Sequence, residues 1–136
     1  MTLRYAAAVA VLASVAIHLT LWFQGMRSVH VIGPAFLVNV AAGIAIAVLL
    51  VRWRHPGAGV LAACFGMATL GAFTLASTIG LFGDHEQWEG FSVFAAATVE
   101  IIAVVAGLAI LLEDPEPAPV RALAQPAPAS NRSDRA

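Results

Sequence analysis

The chain has 136 residues, of which 60 % are hydrophobic and 11 % charged, with a mean hydropathy of +0.86. Soluble domains carry about 25 % charged and roughly 45–50 % apolar residues, so this composition does not fit one. Seven arginines, no lysine and eight acids leave a net charge of −1 and no basic patch, which argues against nucleic-acid binding. A single cysteine, Cys64, leaves no internal disulfide and no cysteine-based zinc site.

Crossing a hydrocarbon core of roughly 30 Å takes about 20 mostly apolar residues. Four runs meet that requirement: Arg4–Phe23, Val31–Val51, Ala58–Phe82 and Phe91–Leu112. They lack the two-residue alternation of barrel strands, and backbone groups in lipid must be satisfied internally, so the runs predict helices. The expected fold is an all-α, integral membrane four-helix bundle spanning residues 1–112. Gln24–Ser28 ends the first span, Gly33–Pro34 opens the second where proline costs least, and Arg52–Gly57 is a tight turn into the third. Gly83–Gly90 links the third to the fourth. Tyr5, Trp22, Trp53 and Trp88 fall at span ends, where amphipathic rings favour the interface.

Arginine placement predicts orientation. Arg4, Arg52, Arg54 and Arg121 flank one side. The first loop carries Arg27 alone, and the third carries Asp84, Glu86 and Glu89 with no cation. The positive-inside rule then puts both termini and the second loop in the cytoplasm of a multi-pass cell-membrane protein. Ser14–Val15–Ala16 has the small residues of a signal-peptide cleavage site, but the apolar run continues through Phe23, which favours a retained helix. After Leu112 the composition changes. Residues 113–136 hold five prolines and few large apolar side chains, and read as a disordered cytoplasmic tail.

The informative residues are the few polar ones inside the spans. His18 lies about six residues deep from the outer face, Asn39 about eight, Thr78 about four and Glu100 about ten, or roughly 6–15 Å at about 1.5 Å per residue. Small residues share their helix faces: Ala6, Ala10, Ser14 and His18; Ala35, Asn39, Gly43 and Ala47; Ala96, Glu100, Ala103 and Gly107. Such stripes let helices approach closely in lipid, so three of the polar groups are expected to share an interior. The third span is less regular, with Ala68, Ala72, Ala76 and Gly80 on one face and Thr74 and Thr78 on another. An acid at this depth must be paired or protonated, and His18 matches Glu100 in depth. The plainer reading is interhelical glue, at about 0.6 kcal/mol per hydrogen bond.

A second set of metal-ligand types lies in the outward loops: Met26 and His30 in the first, His85 and Glu86 with Asp84 and Glu89 in the other. Their spacing follows no metal motif, and a solvated, mildly acidic loop is the favoured reading. No phosphate loop, metalloprotease helix or nucleophile elbow is present, so an enzyme is disfavoured and no cofactor is indicated. Only His18 among the histidines lies within a span. A bis-histidine haem within one chain is disfavoured, and two copies of His18 in a dimer stay open. Cys64 has an apolar setting and His55 lies in the cytoplasmic turn.

Ile17–Leu19, Gly33–Asn39, Thr78–Gly83 and Val99–Ile101 together resemble a set of small four-span membrane proteins from high-GC bacteria. That resemblance covers residues 10–112 and implies a four-helix integral membrane protein, with no particular activity or cofactor. Four-span multidrug exporters are of similar size but carry their essential acid in the first helix, whereas here it is in the fourth. The leading functional expectation is a non-enzymatic accessory or scaffold subunit of a membrane complex, meeting a membrane-protein partner or further copies of itself. The alternatives are a metal-, quinone- or proton-binding protein using His18, Asn39, Thr78 and Glu100, and a small oligomeric transporter.

Overall fold

A computed structural model of the chain describes residues 2–80 and 91–113. Its elements are α1 (Thr2–Gln24), a single 3₁₀ turn (Met26–Ser28), α2 (Ile32–Arg52), α3 (Gly57–Thr78) and α4 (Phe91–Leu112). All four α-helices are long and apolar enough to cross a membrane, and the fold is a helical bundle of the multi-pass membrane type. Three helices follow the expected spans within two residues. The third stops at Thr78, four residues before Phe82, because Ile79 caps it and Gly80 turns the backbone to φ 80°. Pro34 occupies the first turn of α2, where its missing N–H has no intrahelical partner to lose. The Gly83–Gly90 link and the tail beyond Glu113 lie outside the described residues.

The helices are not arranged symmetrically. α1 packs on both α2 and α4, and α3 packs on α4, whereas α2 and α3 touch only sparingly although four residues join them. Small side chains make the tight seams. Gly59 and Gly107 face each other so closely that a Cβ on Gly59 would stand 2.7 Å from the Gly107 carbonyl oxygen. Lipid gives helices no hydrophobic drive to associate, so close van der Waals contact of this kind holds the α3–α4 pair together. Ala7, Ala10, Val11 and Ser14 of α1 meet Ala103, Ala106 and Leu50 in the buried centre. Large side chains such as Val9, Val38 and Val105 point outward, as a surface bathed in lipid tails allows.

Two expected stripes are corrected. Ala6 and Ala35 are exposed although Ala10, Ser14, His18, Gly43 and Ala47 of the same stripes are buried or half-buried. A step of four residues gains about 40° per repeat on a 3.6-residue helix, so a long i+4 row turns out of any one contact. On α3 the buried residues are Ala58, Gly59, Ala62, Ala63, Phe65, Gly66 and Ala76, so of the stripe expected there Ala76 is buried while Ala68 and Ala72 are exposed.

One polar clasp ties the α1 start to the α2–α3 turn. The Arg4 guanidinium donates to the carbonyls of Trp53 (2.9 Å) and Arg54 (2.8 Å). In the same turn the His55 ring stacks on Trp53 at 5.0 Å and its Nδ1 accepts the Gly57 N–H at 3.0 Å. These carbonyls follow the end of α2, where a cation is favoured by the helix dipole.

Candidate functional site

Glu100 is 1 % exposed, at the centre of α4 and beside α1 and α3. Gly66 makes this cover feasible: a Cβ there would lie 2.6 Å from the Glu100 carbonyl oxygen, so only glycine lets α3 close over the acid. The carboxylate's direct partner is Ser14, fully buried on α1, whose hydroxyl donates to Glu100 Oε1 at 2.5 Å. His18 joins through Ser14. Its Nδ1 lies 2.9 Å from the Ser14 carbonyl and 3.2 Å from Ser14 Oγ. A carbonyl can only accept, so Nδ1 donates to it, and in the neutral ring Nε2 is then the acceptor. Thus the expected pairing of His18 with Glu100 is indirect, with a serine between them. Ser14 was visible as a small residue four before His18, but nothing in its local sequence marks it as the acid's partner 86 residues away.

Asn39 approaches from α2. The Thr69 hydroxyl of α3 donates its one proton either to Asn39 Oδ1 at 3.3 Å, a polar bridge across the sparse α2–α3 seam, or to the Phe65 carbonyl of its own helix at 3.0 Å. Thr78 stands apart. It is exposed, and its hydroxyl donates to the Thr74 carbonyl of its own helix at 2.7 Å. Thr69, one helical turn beyond Phe65, is the α3 hydroxyl that reaches the shared interior.

These groups border a cavity of about 560 Å³ lying chiefly between α2 and α3. His18, Asn39, Thr69 and Glu100 form its polar part, and Phe36, Phe65 and Phe73 give it aromatic walls. The Phe36 ring packs at 5.2 Å on His18. Val38, Leu61 and Cys64 are lining residues that are also exposed, so the cavity opens along the seam between the two helices. Membrane binding pockets of this kind are mostly apolar with a few placed polar groups, within the roughly 300–1,000 Å³ range of ligand sites.

Among the described residues, two buried polar atoms have no hydrogen-bond partner: Glu100 Oε2 and Asn39 Nδ2. An orphaned buried polar group costs about 1–3 kcal/mol, and more where no water is at hand. Ser14 satisfies one carboxylate oxygen and the Thr69 hydroxyl reaches one end of the amide, while the other end of each is enclosed by protein atoms.

The metal-ligand types behave differently. Met26 lines the cavity, while His30 is exposed on the first loop; His85 and Glu86 lie outside the described residues. Among the described residues no three of His, Cys, Asp and Glu gather as a metal site would need. Comparison with protein-family models, with curated proteins and with solved structures finds no match to this chain.

Proposed function

We propose that this multi-pass membrane protein binds a small lipid-soluble molecule with a polar head, held in the cavity between α2 and α3. The observation that carries the reading is the cavity itself, about 560 Å³ of largely apolar space between α2 and α3 with His18, Asn39, Thr69 and Glu100 among its lining residues. The accessory-subunit expectation draws less support, because the outward apolar faces are those that lipid covers and none is singled out for a partner. The arginine pattern supports a cell-membrane orientation with both termini and the Arg52–Gly57 turn on the cytoplasmic side.

The test is mass spectrometry of organic extracts from the purified full chain. The expected result is an apolar small molecule at near one per chain, reduced at least fivefold in Ala68→Phe, which fills the cavity from a lining position without touching Glu100. Equal recovery from the wild type and from this variant would overturn the reading.

A further inference from the structure

His18 presents its two ring nitrogens to different surroundings. Nδ1 is committed to α1 itself, 2.9 Å from the Ser14 carbonyl and 3.2 Å from Ser14 Oγ. Nε2, on the far edge of the ring, has no hydrogen-bond partner among the described residues, yet it is not one of the two enclosed orphans, Glu100 Oε2 and Asn39 Nδ2. His18 is 8 % exposed and lines the cavity beside the Phe36 ring, so the surface it keeps includes Nε2 and borders that space. The rest of the polar wall also accepts and hardly donates. Thr69 spends its one proton on Asn39 Oδ1 or on the Phe65 carbonyl. The orphaned carboxyl oxygen and amide nitrogen are shut off by protein atoms. No lysine or arginine stands among the described lining residues, and the Cys64 thiol is a weak donor. A head that brings only acceptors, such as an ester, would lose its water without gaining a partner, and an anionic phosphate would meet no cation. A head that brings an O–H meets Nε2.

We propose that the ligand is a long apolar chain ending in a hydroxyl donor, an alcohol or an un-ionised fatty acid, whose O–H donates to His18 Nε2. The ring is a neutral imidazole in this pairing, and the Nδ1–H on the Ser14 carbonyl fixes both its tautomer and its orientation. His18 stands six positions before Gln24, the last residue of α1, which sets the head roughly 9 Å from that end of the helix. Val38, Leu61 and Cys64 are exposed lining residues, so the chain can leave along the α2–α3 seam into the bilayer. This inference rests on the lipid-soluble-ligand reading above and specifies the chemistry of the head.

The experiment follows thermal unfolding of the full chain in a non-ionic detergent while titrating dodecanol, dodecanoic acid and methyl dodecanoate, probes that share a chain and differ in the head. A molecule that binds the native state alone raises the unfolding temperature with the logarithm of its concentration over Kd. The expected result is a saturable rise with the alcohol, the acid or both, and none with the ester; a rise with only one of the first two identifies which head the site takes. His18→Phe keeps an aromatic ring beside Phe36 but removes Nε2, and should raise the half-effective concentration at least tenfold. An equal rise with the ester, or an unchanged half-effective concentration in His18→Phe, overturns the donor-head assignment while ligand binding stands. The ester comparison uses the wild type alone, so it decides the matter even where His18→Phe fails to fold. No rise with any probe also overturns the assignment, and the extraction experiment then decides the broader reading separately: a different molecule lost in Ala68→Phe sustains it, and none removes it.

Discussion

At the scale of single residues, the site turns on which polar atoms are paired and which are left over. Ser14 is the pivot, because its buried hydroxyl is what pairs with Glu100 Oε1. Ser14→Ala removes the one partner of Glu100 Oε1 and leaves the carboxylate wholly unpartnered in a buried position. Such a loss should lower stability by about 1–3 kcal/mol, seen as a lower unfolding temperature in detergent. Asn39→Leu should behave oppositely in the absence of ligand. It replaces an amide carrying an orphaned atom with an apolar group of similar shape, so the unfolding free energy should change by less than about 1.5 kcal/mol. A large loss of stability in this variant would mark Asn39 as structural glue. Much of this site was legible in advance, because an acid, a histidine and an amide are rare in apolar spans and their depths agree. Ser14 and Thr69 were not, since a hydroxyl in a membrane helix most often bonds to its own i−4 carbonyl, as Thr20, Thr74 and Thr98 do here. The choice of a cross-helix acceptor depends on what the facing helix offers.

At the scale of elements, the α3–α4 seam is the rigid part of the bundle. Gly107→Val would put side-chain atoms against Gly59 and Ala63, where a Cβ alone already falls 2.6 Å from a backbone oxygen. Backbone cannot move aside cheaply, so this variant should lose at least about 1–3 kcal/mol and fold poorly. Gly71→Ala is the matched control. A Cβ at Gly71 meets nothing within 4 Å, and helix propensity favours alanine by about 1 kcal/mol, so stability should hold or rise. The two measured together separate a steric seam from a general intolerance of change in α3 and α4. The positions of the helices followed from apolar run length, with the end of α3 as the exception: apolarity continues past Thr78, but the backbone turns at Gly80.

At the scale of the whole molecule, an open seam between sequence neighbours is the defining feature. α2 and α3 are joined by the shortest link yet pack on α1 and α4 more than on each other, and the cavity occupies the space between them. Clasping of the α2–α3 turn by Arg4 keeps the two helices together at that end. If the Arg4 side of the bundle faces the cytoplasm, a fluorescent protein fused after Ala136 should fluoresce, and alkaline phosphatase fused at the same point should stay inactive. Active phosphatase there would reverse the proposed orientation. By itself the sequence determined that four helices are long and apolar enough to cross a membrane and where along them the polar residues stand, because burying a polar backbone or a charge in lipid is costly enough to be read from composition alone. Which helices touch was decided only in the tertiary structure. Every apolar face is equally soluble in lipid, so the choice rests on where glycine and alanine let backbones meet, and that choice both paired Ser14 with Glu100 and left the cavity between α2 and α3.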